Sequence, residues 1–375
     1  MSMVIGINGS QLNIREKSGV EVVAASLISE LVRLTQVRGA TLRLYARSRP
    51  VGHYPHHVEV RILRWPFPLF WTQVRLGWEL LIHPPSVFLD CSNFLPFLGL
   101  FSRACQFFFA HDASFIQFPE RYTFLRRTVM RLGHTLSCWR ARNIFVPTRG
   151  TAQQIKRYST MESRKVRIVG LGITQSFIDS LRHSATPHSI PAGKPFVVFV
   201  GRVGGRVDKR KNIDQLLIGF HVWNSRHGNT HRLVICGRDD GGKKQISFLA
   251  QSIGCNDVEF TGFVSDQELA NLYTHSQGVV FPTYGEGIGL PIVEGLIAGK
   301  RVLVSTQTGG ISDDLVEYLI VCEPHADGIA SGIERLLAPD YRPITREVSL
   351  IRWKSWENVA KKIYEVLVAS EAAHH

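Results

Sequence analysis

The chain has 375 residues, 44% apolar and 20% charged. That make-up excludes a disordered protein and, at ordinary domain sizes, predicts two domains with separate cores. Its formal net charge of +13 predicts attraction to anionic partners such as phosphates, nucleic acid or an acidic membrane surface. Six cysteines (Cys91, Cys105, Cys138, Cys236, Cys255 and Cys322) include no CxxC pair, which argues against a disulfide scaffold and for reduced thiols in a cytoplasmic protein. The opening MSMVIGING has no basic start, apolar stretch or cleavage site of a signal peptide. No apolar run approaches the ~18 residues of a membrane span, and the longest, FLPFLGLF at 94–101, holds a proline and a glycine.

In chain order, residues 3–8 read as a first strand, followed by a loop from Gly9 to Gly19. Val20, Val23, Leu27, Leu31 and Leu34, spaced three and four apart, predict a helix with one apolar face. Residues 41–46, 87–89, 106–110 and 143–147 read as strands, the later ones separated by helical stretches. This β/α alternation implies a largely parallel sheet covered by helices. Across 176–194 the pattern dissolves into Ser, His, Pro and Gly, which predicts a linker.

A second β/α series follows. Strands are expected at 196–200, 233–236, 258–260, 278–282 and 302–305. Ser265 with Glu268 forms a capping box that opens a helix, residues 291–298 form another, and an amphipathic helix closes the chain at about 355–369. The expected division is an N-terminal domain over 1–178, a C-terminal domain over 190–352, and a helix over 353–371 that packs back on the first. Ligands of such α/β folds bind at the carboxyl ends of the strands.

The richest stretch is FPTYGEGIGLPIVE at 281–294. Gly285, Gly287 and Gly289 stand between a strand and a helix, where glycine lets backbone N–H groups approach a ligand. Pro291 fits the first helical position, and a glycine-fed helix N-terminus cradles phosphate. Glu286 at the loop mouth and Glu294 in the first helical turn are acceptors suited to sugar and ribose hydroxyls. Acids near a helix start are also favoured by the helix dipole alone. Arg202, Arg206, Lys209, Arg210 and Lys211 follow the strand at 196–200. Fixed cations there neutralise a diphosphate leaving group, or simply form a solvated loop. His111, at the end of the strand at 106–110, points towards the expected cleft or serves the core.

These segments resemble a known family. FVGR…RKNIDQLLIGF, FTGFVSDQELANLY and FPTYGEGIGLPIVEGLIAGKRVLVS are similar to the C-terminal domain of retaining GT-B glycosyltransferases of family 4. HDASFIQFPERYTFLRRTVMR and NIFVPTRGTAQQI…KVRIVGLGI resemble the branch containing mannosyltransferases of bacterial surface-polysaccharide synthesis. The resemblance implies an α/β GT-B fold, two Rossmann-like domains facing each other across a cleft. It implies that Glu286 contacts donor-sugar hydroxyls and Glu294 the ribose. Backbone N–H groups of Gly287, Ile288, Gly289 and Leu290 then meet the phosphates, Arg202 and Lys211 clamp the diphosphate, His111 sits by the reacting sugar, and the Gly9 loop closes over the donor. It implies sugar transfer with retention, a nucleotide sugar as substrate and no obligatory metal. One departure is the nine-residue separation of Arg202 and Lys211, where the family has about five. Lys211 keeps its context before Asn212, while Arg206 and Lys209 are alternatives.

The acceptor is expected to be a glycan or lipid-linked saccharide. Residues 121–142 hold six arginines and no acid, interleaved with Phe124, Val129, Leu132, Leu136 and Trp139. Such a helix either lies on anionic lipid or buries its apolar face and solvates its arginines. The donor is expected to be GDP-mannose, with UDP- or ADP-glucose as the alternative. A non-catalytic nucleotide-binding protein and a basic nucleic-acid-binding protein are the readings from other classes. No helix-turn-helix, zinc-finger or RRM signature appears, so no nucleic-acid partner is expected, and no HExxH or Cys/His spacing suggests a catalytic metal.

Overall fold

A computed structural model describes residues 3–14, 16, 19–50, 54–67, 70–112, 114–117, 119–158, 163–183, 193–204, 209–287, 289–309, 311, 313–339 and 354–372. The chain forms two compact units: Met1–Ile116, Phe124–Gly172 and Lys354–His375 make the first, Gln117–Thr123 and Ile173–Trp353 the second.

The first unit is built on seven parallel strands: β1 (Val4–Asn8), β2 (Thr41–Ala46), β3 (Val58–Ile62), β4 (Val87–Asp90), β5 (Cys105–Phe109), β6 (Asn143–Val146) and β7 (Val166–Ile168). Their order is β3-β2-β1-β4-β5-β6-β7. β5 reads CQFFF and is buried along its whole length, as expected of a parallel strand covered on both faces. The strand order reverses between β1 and β4, which makes that point the natural ligand crevice of the sheet. Helix Gly19–Arg38 buries Val23, Leu27 and Leu31. The helix Trp356–Ala372 belongs to the same unit, tied to it by Arg33 against Glu357 at 2.6 Å and by the Arg38 guanidinium over the Tyr364 ring.

The second unit holds six parallel strands: β8 (Phe196–Val200), β9 (Arg232–Cys236), β10 (Val258–Gly262), β11 (Gly278–Phe281), β12 (Val302–Ser305) and β13 (Leu319–Cys322). The order β10-β9-β8-β11-β12-β13 puts its switch point between β8 and β11. Strands β3, β7 and β13 have no counterpart in the sequence reading. They stand at sheet edges, and β3 and β7 keep charged, partly exposed residues that break the apolar signal.

The expected linker at 176–194 is corrected in its first half. Gln175–Arg182 is a helix, started by Thr174, whose hydroxyl accepts from the Phe177 N–H. Phe177 and Leu181, four apart, are buried. Phe177 meets Tyr273 edge-on at 5.9 Å, and Ser176 donates to Asp266 at 2.7 Å. A helix of two turns offers too few periodic positions to stand out in composition. Residues 184–192 lie outside the described residues.

Candidate functional site

In the second unit, the carboxyl ends of β8, β9 and β11 converge on the switch point. Their loops are locked at backbone level. Gly201 N–H donates to the Cys236 carbonyl at 2.8 Å. A Cβ at Gly237 would lie 2.1 Å from the Gly201 carbonyl oxygen, and Gly237 has φ +142°, so only glycine permits the approach.

The cations after β8 have separate partners. Arg202 donates to Asp240 at 3.3 Å, and Arg238 holds the other oxygen of Asp240 at 2.8 Å. Lys209–Lys211 is a short 3-10 turn. Asn212 behind it adopts left-handed geometry, φ 55°. Its buried amide donates to the Pro282 and Pro324 carbonyls at 2.9 and 2.7 Å, fastening the turn to the chain leaving β11. Lys211 is thereby aimed at Glu286, with Nζ 2.9 Å from Oε1 and 5.0 Å from the Phe281 ring centre. The Arg210 guanidinium lies instead over the Tyr122 ring. Arg206 lies outside the described residues.

The glycine loop runs from Pro282 to Gly289. Four of its N–H groups are already used: Thr283 donates to Phe281 at 2.9 Å, Tyr284 to Arg210 at 2.8 Å, Gly285 to Gln307 at 2.9 Å and Glu286 to Thr308 at 2.5 Å. Gly289 has φ +72°, and a Cβ there would meet Phe281 Cε1 at 2.8 Å. Gly289 caps helix Leu290–Ile297. The helix therefore starts one residue earlier than expected. Pro291 is its second residue, and Glu294 stands in its second turn rather than its first. Ile292 N–H returns to the Gly289 carbonyl and proline has none. The helix N-terminus thus presents the N–H groups of Gly289 and Leu290 as those that helical geometry leaves over. Ile288 lies outside the described residues.

Glu294 accepts a hydrogen bond from the Tyr273 hydroxyl at 2.8 Å. Burial pushes its carboxyl up to about 7, with Asp266 adding to the rise and the Tyr273 hydrogen bond opposing it. The buried Tyr273 phenol is itself pushed well above its ordinary value by burial and by Glu294, so it stays the donor. Tyr273, Asn212 and Asp240 are site residues that sequence reasoning missed. Tyr273 sits on a helix opened by the capping box of Ser265 and Glu268, and nothing in its spacing marks it.

The first unit carries a buried polar cluster at its own switch point. Asn8 at the end of β1 donates to Asp90 at the end of β4 at 3.1 Å. The other Asp90 oxygen accepts from the Ser92 N–H at 2.8 Å, and burial raises the Asp90 carboxyl against these hydrogen bonds. His111 follows β5. Its N–H donates to Asn93 at 2.7 Å, and its Nε2 lies 2.8 Å from the Cys91 carbonyl. A carbonyl only accepts, so Nε2 carries the proton and Nδ1 the lone pair. Burial lowers the His111 pKa, which keeps the ring neutral. Gly9 N–H donates to the Tyr45 carbonyl, and Gly9 opens a 3-10 turn, Ser10–Asn13.

All six cysteines are free and buried. No group of three or more His, Cys, Asp or Glu side chains among the described residues is arranged to hold a metal ion. Among the described residues no helix is long and apolar enough to cross a membrane.

Residues 183–347 match the family model described as Glycosyl transferases group 1. An uncharacterized glycosyltransferase of Methanocaldococcus jannaschii is 29% identical over 178 residues, 45% of this chain and 44% of that protein. The O-antigen chain mannosyltransferase B of Escherichia coli is 28% identical over 160 residues, 41% of this chain and 42% of that protein. The chain thus spans less than half the length of these curated relatives. The solved sucrose-phosphate synthase of Thermosynechococcus elongatus superposes with a TM-score of 0.75 at 17% identity, covering 99% of this chain and 100% of that one. This likeness shows the fold, that of the GT-B α/β proteins.

Proposed function

We propose that this chain, which carries a glycosyl transferases group 1 domain over residues 183–347, is a retaining glycosyltransferase. In this reading it moves a hexose, mannose from GDP-mannose, onto a glycan or lipid-linked saccharide, with no obligatory metal. The observation that carries the reading is the pair of carboxylates on one glycine loop and helix. Glu286 is paired with Lys211, and Glu294 is held by Tyr273, both in loops and helices at the carboxyl end of the sheet. Cations and helix N–H groups beside hydroxyl acceptors suit a sugar joined to a nucleoside diphosphate. The choice of mannose is supported by the similarity to O-antigen chain mannosyltransferase B.

In the reaction, the bond between the sugar C1 and the phosphate oxygen breaks. A new bond joins C1 to the acceptor hydroxyl oxygen on the same face, and the acceptor proton passes to the departing phosphate. Lys211 and Arg202 with the N–H groups of Gly289 and Leu290 offset the charge that develops on the nucleoside diphosphate. The resemblance assigns the N–H groups of Gly287 and Ile288 to the phosphates as well. Glu286 accepts from sugar hydroxyls and Glu294 from the ribose. The reading assigns His111 to the reacting sugar and Gly9 to the donor. Arg206 and Lys209 are the alternatives to Lys211.

The test is the melting temperature of the chain with GDP, UDP and ADP, each with EDTA and with magnesium. A ligand at about 100 times its dissociation constant adds about 2.7 kcal/mol of stability. A rise with GDP that survives EDTA and vanishes in Glu294→Ala supports the reading. A rise with UDP or ADP instead changes the donor, and no rise with any of them overturns the transferase.

A further inference from the structure

The helix Phe124–Arg140 is turned inside out. An ordinary surface helix buries its apolar stripe. This one buries Gly133, His134, Ser137 and Cys138. Its periodic apolar residues Leu125, Val129, Leu132 and Trp139, spaced four, three and seven, face solvent, with Trp139 75% exposed. Of the stripe expected from the sequence, Phe124, Val129, Leu132 and Trp139 face solvent, and Leu136 alone is half-buried against the core. The inversion has a packing cause. A Cβ at Gly133 would already sit 3.2 Å from the Phe94 ring, and the Ser137 hydroxyl accepts from the Leu95 N–H at 2.7 Å. Small and polar residues let the helix settle flat on 94–97.

A second stripe adjoins it. Phe70, which precedes the helical segment 71–82, and Val74, Trp78 and Ile82 within it recur every four residues and are all exposed, Trp78 by 55%. No periodic reading of the sequence marks them as a surface. The 3-10 turn Leu98–Phe101 joins the two stripes. Gly77 packs on Leu98 and Gly99. On the other side the Arg140 guanidinium donates to the carbonyls of Leu100, Ser102 and Ala104. Phe101, between the two, is 79% exposed. Most of the large apolar side chains exposed among the described residues fall between Ile62 and Trp139.

Charge identifies what this face meets. Residues 62–142 hold nine arginines and four acids. Of the acids, Glu79 and Asp90 are buried, Asp112 is half-buried, and Glu120, which is exposed, lies in the segment Gln117–Thr123 that belongs to the second unit. Arg126 and Arg131 are exposed beside the helix stripe. Such a surface repels a second copy of itself. It complements a layer that is anionic outside and apolar a few ångströms below.

We propose that the two stripes and Phe101 form one docking surface for an anionic lipid bilayer. The aromatic and aliphatic side chains enter the interface, and the arginines meet the headgroup phosphates. This proposal goes beyond the transferase reading and does not rest on it.

Flotation of the full chain with phosphatidylcholine vesicles, with and without phosphatidylglycerol, tests it. The chain is expected to float with the phosphatidylglycerol vesicles and scarcely with phosphatidylcholine alone. Arg131→Ala should weaken partitioning about five-fold at low salt, the worth of one basic residue at such a surface. Leu132→Glu and, separately, Trp78→Glu should each abolish it. These side chains face solvent, so melting temperature and any nucleotide-induced rise should match the unsubstituted chain. No flotation with either vesicle overturns the proposal. Unchanged flotation of Trp78→Glu overturns the two-stripe surface. A stable dimer in sedimentation, dissolved by Leu132→Glu, assigns the face to a second copy instead. Flotation without a nucleotide response removes the transferase reading and leaves this one standing.

Discussion

The Lys211 ammonium lies 2.9 Å from a Glu286 carboxylate oxygen and 5.0 Å from the centre of the Phe281 ring. Both charged side chains are mostly buried, so each compensates the other where water is scarce. On the proposed transferase reading, a diphosphate at this loop competes with Glu286 for the same ammonium and releases Glu286 to sugar hydroxyls. Lys211→Met should lower kcat/KM for the nucleotide sugar by about ten- to a hundred-fold, the worth of one hydrogen bond to a charged group. Steady-state kinetics beside a Glu286→Gln variant check it. If the double variant loses no less than the sum of the two single losses, the pair does not act as a unit.

Glu294 brings a pH dependence of definite sign. Its folded carboxyl titrates at about 7, raised by burial from 4.5. Between those values the folded chain binds more protons than the unfolded one, so this group's contribution to stability falls as pH rises and levels off above about 7. Glu294→Gln removes that slope. The melting temperature of the variant relative to the unsubstituted chain should climb from pH 4.5 towards 7 and then stay flat. A constant difference would mean that Glu294 is not so perturbed. On the proposed transferase reading Glu294 accepts from ribose hydroxyls, and a carboxylate is the stronger acceptor, so nucleotide affinity should rise over the same interval in the unsubstituted chain alone.

Gly237 and Gly254 both have positive φ, but only Gly237 is crowded, by the Gly201 carbonyl oxygen at 2.1 Å from an added Cβ. Gly254 has open space. Gly254→Ala should therefore cost only backbone strain, about 1 kcal/mol. Gly237→Ala forces apart the loops after β8 and β9 and should cost well over that. Urea melts of the two variants compare them directly, and equal losses would refute the crowding argument.

Asn212→Ala leaves the buried carbonyls of Pro282 and Pro324 without this donor. A loss of about 1–3 kcal/mol is expected for buried groups left unsatisfied, measured by urea denaturation. Lys211 is the next residue, so the nucleotide-induced rise in melting temperature should shrink as well. A stable variant with a full nucleotide response would show that the amide does not position the lysine.

The sequence by itself determined the α/β architecture. Apolar runs such as 107–109 and 196–200 have few other places to go than the middle of parallel sheets, and the glycines at 285 and 289 mark a strand-to-helix turn wherever they stand in the chain. It also pointed to Glu286 at the mouth of the glycine loop, Glu294 on the helix behind it, and Lys211 and His111 after strand ends. Only the tertiary structure decided their partners, because those come from remote segments. Glu294 is held by Tyr273 from another helix, Glu286 meets Lys211 from a turn 75 residues earlier, and Asp240 takes Arg202. It also decided which way the helix Phe124–Arg140 faces. Periodicity defines an apolar stripe but not the side on which the fold supplies a neighbour. The small residues Gly133 and Ser137 gave the close contact to the core and left Leu132 and Trp139 in solvent.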